Sequence, residues 1–237
     1  MGKGERPRLA VTQHSQRPDP RCQWTFDAAV SAKEFLLTIQ PSTTESGRHP
    51  YLQLLRERVV VFDGAAGTYL QQVGLTADDF GGEALDGCTD LLSVTRPDVI
   101  AQMHADYFAA GADVVETNSF GAFGIPLGEY DLQDRTHEIN FAAARTARDV
   151  ADSFSTPDRP RFVAGSMGPG TKFATLGQVS YAALRDLYEE QGIGLLEGGV
   201  DLFIIETQFD LLGIKAAMNG VRRAMKRVGR EVPIQTQ

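Results

Sequence analysis

Cysteine is scarce in this chain of 237 residues: only Cys22 and Cys88 are present. They lie far apart, with no CxxC and no Cys/His spacing, so a disulfide framework is not expected. Long apolar runs are missing too, and nothing approaches the ~20 residues that span a bilayer. The N-terminus lacks the apolar core of a secretory signal. A reduced, cytoplasmic protein is the expectation. Basic residues are in deficit, 23 Lys and Arg against 31 Asp and Glu, for a net charge of -8. That balance argues against general binding to nucleic acid or to an anionic membrane. Two nucleotide signatures are also absent. The first strand and turn hold no GxGxxG, and in Gly165–Lys172 the Thr precedes the Lys, the reverse of a P-loop.

What the chain does contain is a repeated design. Val59-Val60-Val61-Phe62 reads as a short strand buried on both faces and runs into Asp63-Gly64-Ala65-Ala66-Gly67-Thr68. Asp113-Val114-Val115-Glu116-Thr117-Asn118 and Leu202-Phe203-Ile204-Ile205-Glu206-Thr207 repeat it, each with an acid where the apolar run ends. Arg161–Ser166 and Glu231–Gln237 add two more strands. Between them lie helical patterns. Thr95-Arg96-Pro97-Asp98 predicts a Thr-capped helix that Gly111 ends. Ile139, Ala143, Ala147, Val150 and Phe154 mark a second helix stopping before Pro157. Ser180 caps a third that closes at Gly198-Gly199, and Asp210 caps a fourth that Gly229 ends. Gly74–Asp90 reads as a loop.

Strand–helix alternation through five strands implies an α/β protein with a parallel sheet. Acids at successive strand ends suit a (β/α)8 barrel, whose sites gather at that face. Five strands cannot close a ring of eight, so an incomplete TIM barrel is expected over residues 58–237. Residues 1–57 read as a low-order extension rich in Arg, Pro and polar residues, with one short amphipathic helix over Phe26–Ile39.

The motifs also carry a resemblance. Asp63–Thr68, Asp90-Leu91-Leu92 with Thr95-Arg96-Pro97, and Glu116-Thr117-Asn118-Ser119-Phe120 are similar to segments of the homocysteine S-methyltransferase family. So are Glu138–Ala144, Gly165-Ser166-Met167-Gly168-Pro169, and Leu196–Asp201 through Glu206-Thr207 and Asp210-Leu211-Leu212. The likeness runs from Glu57 to Gln237, in the form found in cobalamin-dependent methionine synthases. It implies transfer of a methyl group from methylcobalamin, derived from 5-methyltetrahydrofolate, to homocysteine. It also implies partner modules for folate and cobalamin, and a zinc held by three cysteines that lowers the thiol's pKa. Those cysteines belong to later strands. Neither Cys22 nor Cys88 matches them, so no metal ligand is assigned and this chain alone is expected to be inactive. Ala66 stands where the family usually has Met, and Thr89 where Asn is common.

By the same resemblance Glu206 receives the homocysteine ammonium. Asp63 and Gly64 form the turn whose backbone N–H groups approach the carboxylate, and Thr117 and Asn118 line the pocket. The ordinary alternatives are a helix-capping acid for Glu206, turn chemistry for Asp63, and a structural role for Glu116. His104 and His137 read as partly buried or surface histidines without metal spacing. Arg222, Arg223, Lys226, Arg227 and Arg230 read as a solvated helix end that complements the dipole. Two other functions stay open: a homocysteine methyltransferase using a small methylated donor, and a non-catalytic fragment or pseudogene product.

Overall fold

A computed structural model describes residues 49–237. Within them β1 (Val114–Glu116), β2 (Phe162–Met167), β3 (Leu202–Ile205) and β4 (Ile234–Thr236) form one sheet in the order β1-β2-β3-β4. Every neighbouring pair is parallel, with Val115 opposite Val163 and Ser166 opposite Ile204. Consecutive parallel strands in chain order require crossovers that all wind the same way, as in a barrel wall.

β2 and β3 are buried on both faces, as parallel strands are, and β1 nearly so, while β4 is only half-buried. Val114, Phe162, Ala164, Leu202 and Ile204 face one core, while Val115, Val163, Phe203 and Ile205 face another. The second core is covered by helices: α3 (Pro97–Ala110), α4 (Thr136–Phe154), α5 (Tyr181–Gly198) and α6 (Leu211–Val228). The first core is the barrel interior. Tyr51 of helix α1 (Pro50–Glu57) is buried in it, edge-on to Phe162 at 5.7 Å, and donates its hydroxyl proton to Gln235 Oε1 at 2.9 Å. Phe162 begins β2, so α1 plugs the N-terminal end of the barrel and leaves the C-terminal end open.

Four sequence expectations change here. Pro50–Glu57, expected to end the low-order extension, forms α1; the helix expected over 26–39 lies outside the described residues, as does Cys22. The first strand reduces to a single parallel bridge, Phe62 to Val114, flanked by Asp113 N–H to Val61 O at 2.7 Å and Asp63 N–H to Val114 O at 3.0 Å. It is not buried on both faces. Phe62 and Val60 pack against the interior around Tyr51, whereas Val59 is 81% and Val61 52% exposed. The Thr95 cap is also displaced: Arg96 is the N-cap, Pro97 opens the helix, and Thr95 Oγ1 donates to Leu91 O at 3.3 Å. Finally, the expected loop at 74–90 contains a capped helical turn, Ala77–Phe80, whose Phe80 is buried.

The remaining caps form as expected. Ser180 Oγ accepts the Ala183 N–H at 3.1 Å, and Asp210 Oδ1 accepts the Leu212 N–H at 3.0 Å. The outer helices touch backbone to backbone through small residues. A Cβ on Gly194 of α5 would lie 2.8 Å from His137 O of α4, and one on Gly220 of α6 would lie 2.7 Å from Arg185 O of α5.

Candidate functional site

The open end of the sheet is where the acids meet. Asp63, Glu116 and Glu206 line one cleft of about 450 Å³, together with Gly64, Thr117, Asn118, Ser166 and Phe120. Each acid follows the last apolar residue of its strand, so its Cα is fixed by the sheet while its carboxyl leaves the packed interior. Among the described residues, no lysine, arginine or histidine lines the cleft.

Burial without a cation raises the cost of charge. Asp63 is pushed up to about 7 by burial, with the Glu206 charge adding to the push, although the Glu116 N–H donates to its Oδ2 at 3.0 Å. Glu116 is pushed up to about 8, by burial first and then by Glu206 and Asp63. Glu206 Oε1 accepts from Ser166 Oγ at 2.5 Å. The capping alternative for Glu206 does not occur: Asp210 caps α6. The next residue, Thr207, has φ 56, a left-handed conformation that strains a β-branched side chain.

Thr117 and Asn118 also line the cleft, but their polar groups are engaged in holding it. Thr117 Oγ1 lies 2.6 Å from Ser119 Oγ and accepts the Ser166 N–H at 3.0 Å. Asn118 Nδ2 donates to Thr89 O at 2.7 Å and to Ser93 Oγ at 3.2 Å. Gly64 serves packing as well as any ligand, since a Cβ there would come 3.2 Å from the Tyr107 ring. Glu116, for which the sequence favoured a structural role, lines the cleft as well, and so do Ser166 and Asp90, which the sequence offered only as parts of the matched segments. Asp90, pushed up to about 6 by burial, accepts the Gly121 N–H at 3.0 Å. The signal for Glu116 and Ser166 was local: Glu116 closes β1 and Ser166 is the penultimate residue of β2, which lies between β1 and β3.

The described residues do not fit a zinc centre. No group of three or more His, Cys, Asp or Glu side chains among them has metal-binding geometry. Cys88 is a free, buried cysteine whose thiol burial pushes up, away from the thiolate a metal needs. His137 pairs with Glu197 at 2.7 Å on the surface, as expected. His104 is not partly but fully buried; both ring nitrogens lack partners, and desolvation lowers it to about 4. The basic stretch of α6 is not simply solvated. Arg223 bridges Asp186 and Glu189 of α5, each at 2.8 Å, and Arg227 reaches Glu189 at 3.3 Å.

A parallel sheet in barrel order, with acids and a glycine turn at the C-terminal mouth, defines a domain of the (β/α)8-barrel class, here incomplete. The chain belongs to the homocysteine S-methyltransferase family, which matches residues 60–236. It is 50% identical over 195 residues to the methionine synthase of Mycobacterium tuberculosis and 49% identical to that of Mycobacterium leprae. Both alignments cover 81% of this chain and 16% of the relative, so the chain spans a small part of those proteins. Among solved structures it resembles the homocysteine methyltransferase MmuM from Escherichia coli in its oxidized form, with a TM-score of 0.59 at 22% identity. That superposition covers 79% of this chain and 64% of MmuM, and it shows the fold. No described helix is long and apolar enough to cross a membrane.

Proposed function

We propose that this chain is the homocysteine-binding part of a methionine synthase, working in the cytoplasm with folate and cobalamin modules of a longer protein. The observation that carries the reading is the convergence of Asp63, Glu116 and Glu206 in a cleft to which the described residues bring no cationic side chain. Such a site favours a ligand that brings its own positive charge. The ammonium of an amino acid answers Glu206 and Asp63, and its carboxylate has backbone N–H groups at Gly64 and the start of helix α2 (Ala66–Val73). The half-buried setting strengthens the ammonium–carboxylate attraction relative to water.

In the reaction proposed, the homocysteine sulfur forms a bond to the methyl carbon as the bond from that carbon to its donor breaks, and the thiol proton is lost. The residues described here supply binding and orientation. They do not fit the family's zinc, so no step is assigned through it, and no residue is assigned to cobalamin. Identity to methionine synthases favours methylcobalamin over a small methylated donor.

Calorimetric titration of the chain with L-homocysteine tests the reading. Micromolar to millimolar binding is expected. Glu206→Gln should weaken it about tenfold to a hundredfold, the loss typical of a charge-assisted hydrogen bond. Unchanged affinity in that variant would remove Glu206 from the site.

A further inference from the structure

Among the described residues the cleft has one aromatic lining residue, Phe120, which is 44% exposed. A single exposed phenylalanine on a protein surface ordinarily needs no explanation. This one is unusually constrained. Its ring lies against the backbone of Gly168 in the loop after β2, where a Cβ would come 2.6 Å from two ring carbons. The Gly168 N–H donates to Phe120 O at 2.9 Å. On either side, Gln191 Nε2 donates to Ser119 O at 2.8 Å, and the Gly121 N–H donates to Asp90 at 3.0 Å.

A ring pinned on one face and open to the cleft on the other is a preformed apolar wall. Its position costs no ordering when a ligand arrives. The acids stand at the ends of the neighbouring strands, so a ligand held by its ammonium would extend its side chain along the remaining lining, where Phe120 and Leu70 are the large apolar groups.

We propose that Phe120 is a specificity-determining residue, forming the wall against which the methylene chain of the bound amino acid packs. The cleft would thereby select unbranched side chains of three or more heavy atoms over short ones. This rests on the amino-acid reading of the cleft given above.

The test is calorimetric titration of the whole chain with L-alanine, L-norvaline and L-homocysteine. The unaltered chain should bind the two longer amino acids about tenfold or more tighter than alanine, the discrimination two buried methylenes supply. Phe120→Ala should lose most of that ratio by weakening norvaline and homocysteine, with alanine changed by less than about twofold. Phe120→Leu, which keeps apolar bulk, should retain the preference to within about threefold. If Phe120→Ala fails to fold, Phe120→Gln, similar in length but polar, is read in its place. A norvaline-to-alanine ratio unchanged in the Ala or Gln variant would overturn the proposal and leave the amino-acid site standing. Failure of all three ligands to bind the unaltered chain would overturn both.

Discussion

Glu116 is the residue whose chemistry depends most on its neighbours. Folded, it holds its proton up to about 8, against an ordinary glutamate value of 4.5. An acid whose folded pKa is raised contributes stability that is fully present below the ordinary value and lost as pH rises through the folded one. Asp63, raised to about 7, acts in the same direction. Stability should therefore fall between about pH 3.8, the ordinary value of Asp63, and about pH 8 on account of these two acids. Glu116→Gln should flatten that decline and raise the denaturation midpoint at pH 8, measured by urea unfolding followed by circular dichroism. A pH dependence identical to that of the unaltered chain would show that the acids do not share one field. His104 works in the opposite sense. Its lowered value, about 4, means that stability is lost as pH falls below the ordinary 6.5, because a charge must then enter a dry site.

Among the elements, α5 is the most tightly held. It packs between α4 and α6, and the contacts are close because glycines stand where side chains would collide. Gly220 of α6 illustrates this: its missing Cβ would sit 2.7 Å from Arg185 O and 2.8 Å from Tyr188 Cβ. Backbone atoms cannot yield as a flexible side chain can, so Gly220→Ala should force the helices apart. Overpacking of this kind costs about 1–3 kcal/mol, more than the helix propensity that alanine gains. Thermal or urea denaturation would read it, and a stabilised variant would mean that the helices move apart freely. Tyr188 matters to the site as well as to this packing. It stacks on Phe123 at a centroid distance of 4.8 Å and donates its hydroxyl proton to Gly168 O at 2.7 Å, so the outer helix layer fixes the loop on which Phe120 rests.

For the whole molecule, the sheet formed by the described residues is the governing feature. Among those residues its first edge is the Val59–Phe62 segment, with Val59 and Val61 turned outward and β1 as its neighbour. An uncovered apolar edge is a template for pairing with another chain. Val59→Lys with Val61→Lys should reduce self-association, seen as a shift toward monomer in sedimentation velocity. Equal association in both forms would place the sticky surface elsewhere, for instance at exposed Phe209 and Leu211.

The alternation of elements was legible in the sequence because apolar runs, caps and C-terminal glycines are local. Ser180, Asp210, Gly111 and Gly229 each act within one helix turn, and each end fell where the residues put it. The acids at strand ends were legible for the same reason, being the first polar residues after buried runs. Thr95 misled because a Thr-x-Pro pattern fits either the last residue of one helix or the cap of the next, and only Leu91 O decides between them.

The sequence by itself determined a parallel α/β wall with acids at one rim, since periodicity and end signals need no distant partner. Only the tertiary structure decided that Val59 and Val61 are exposed, that Tyr51 fills the barrel floor, and that Glu116 shares a cleft with Asp63 and Glu206. Those facts depend on which segments lie side by side, and through-space burial and charge repulsion are not properties of any one stretch of chain.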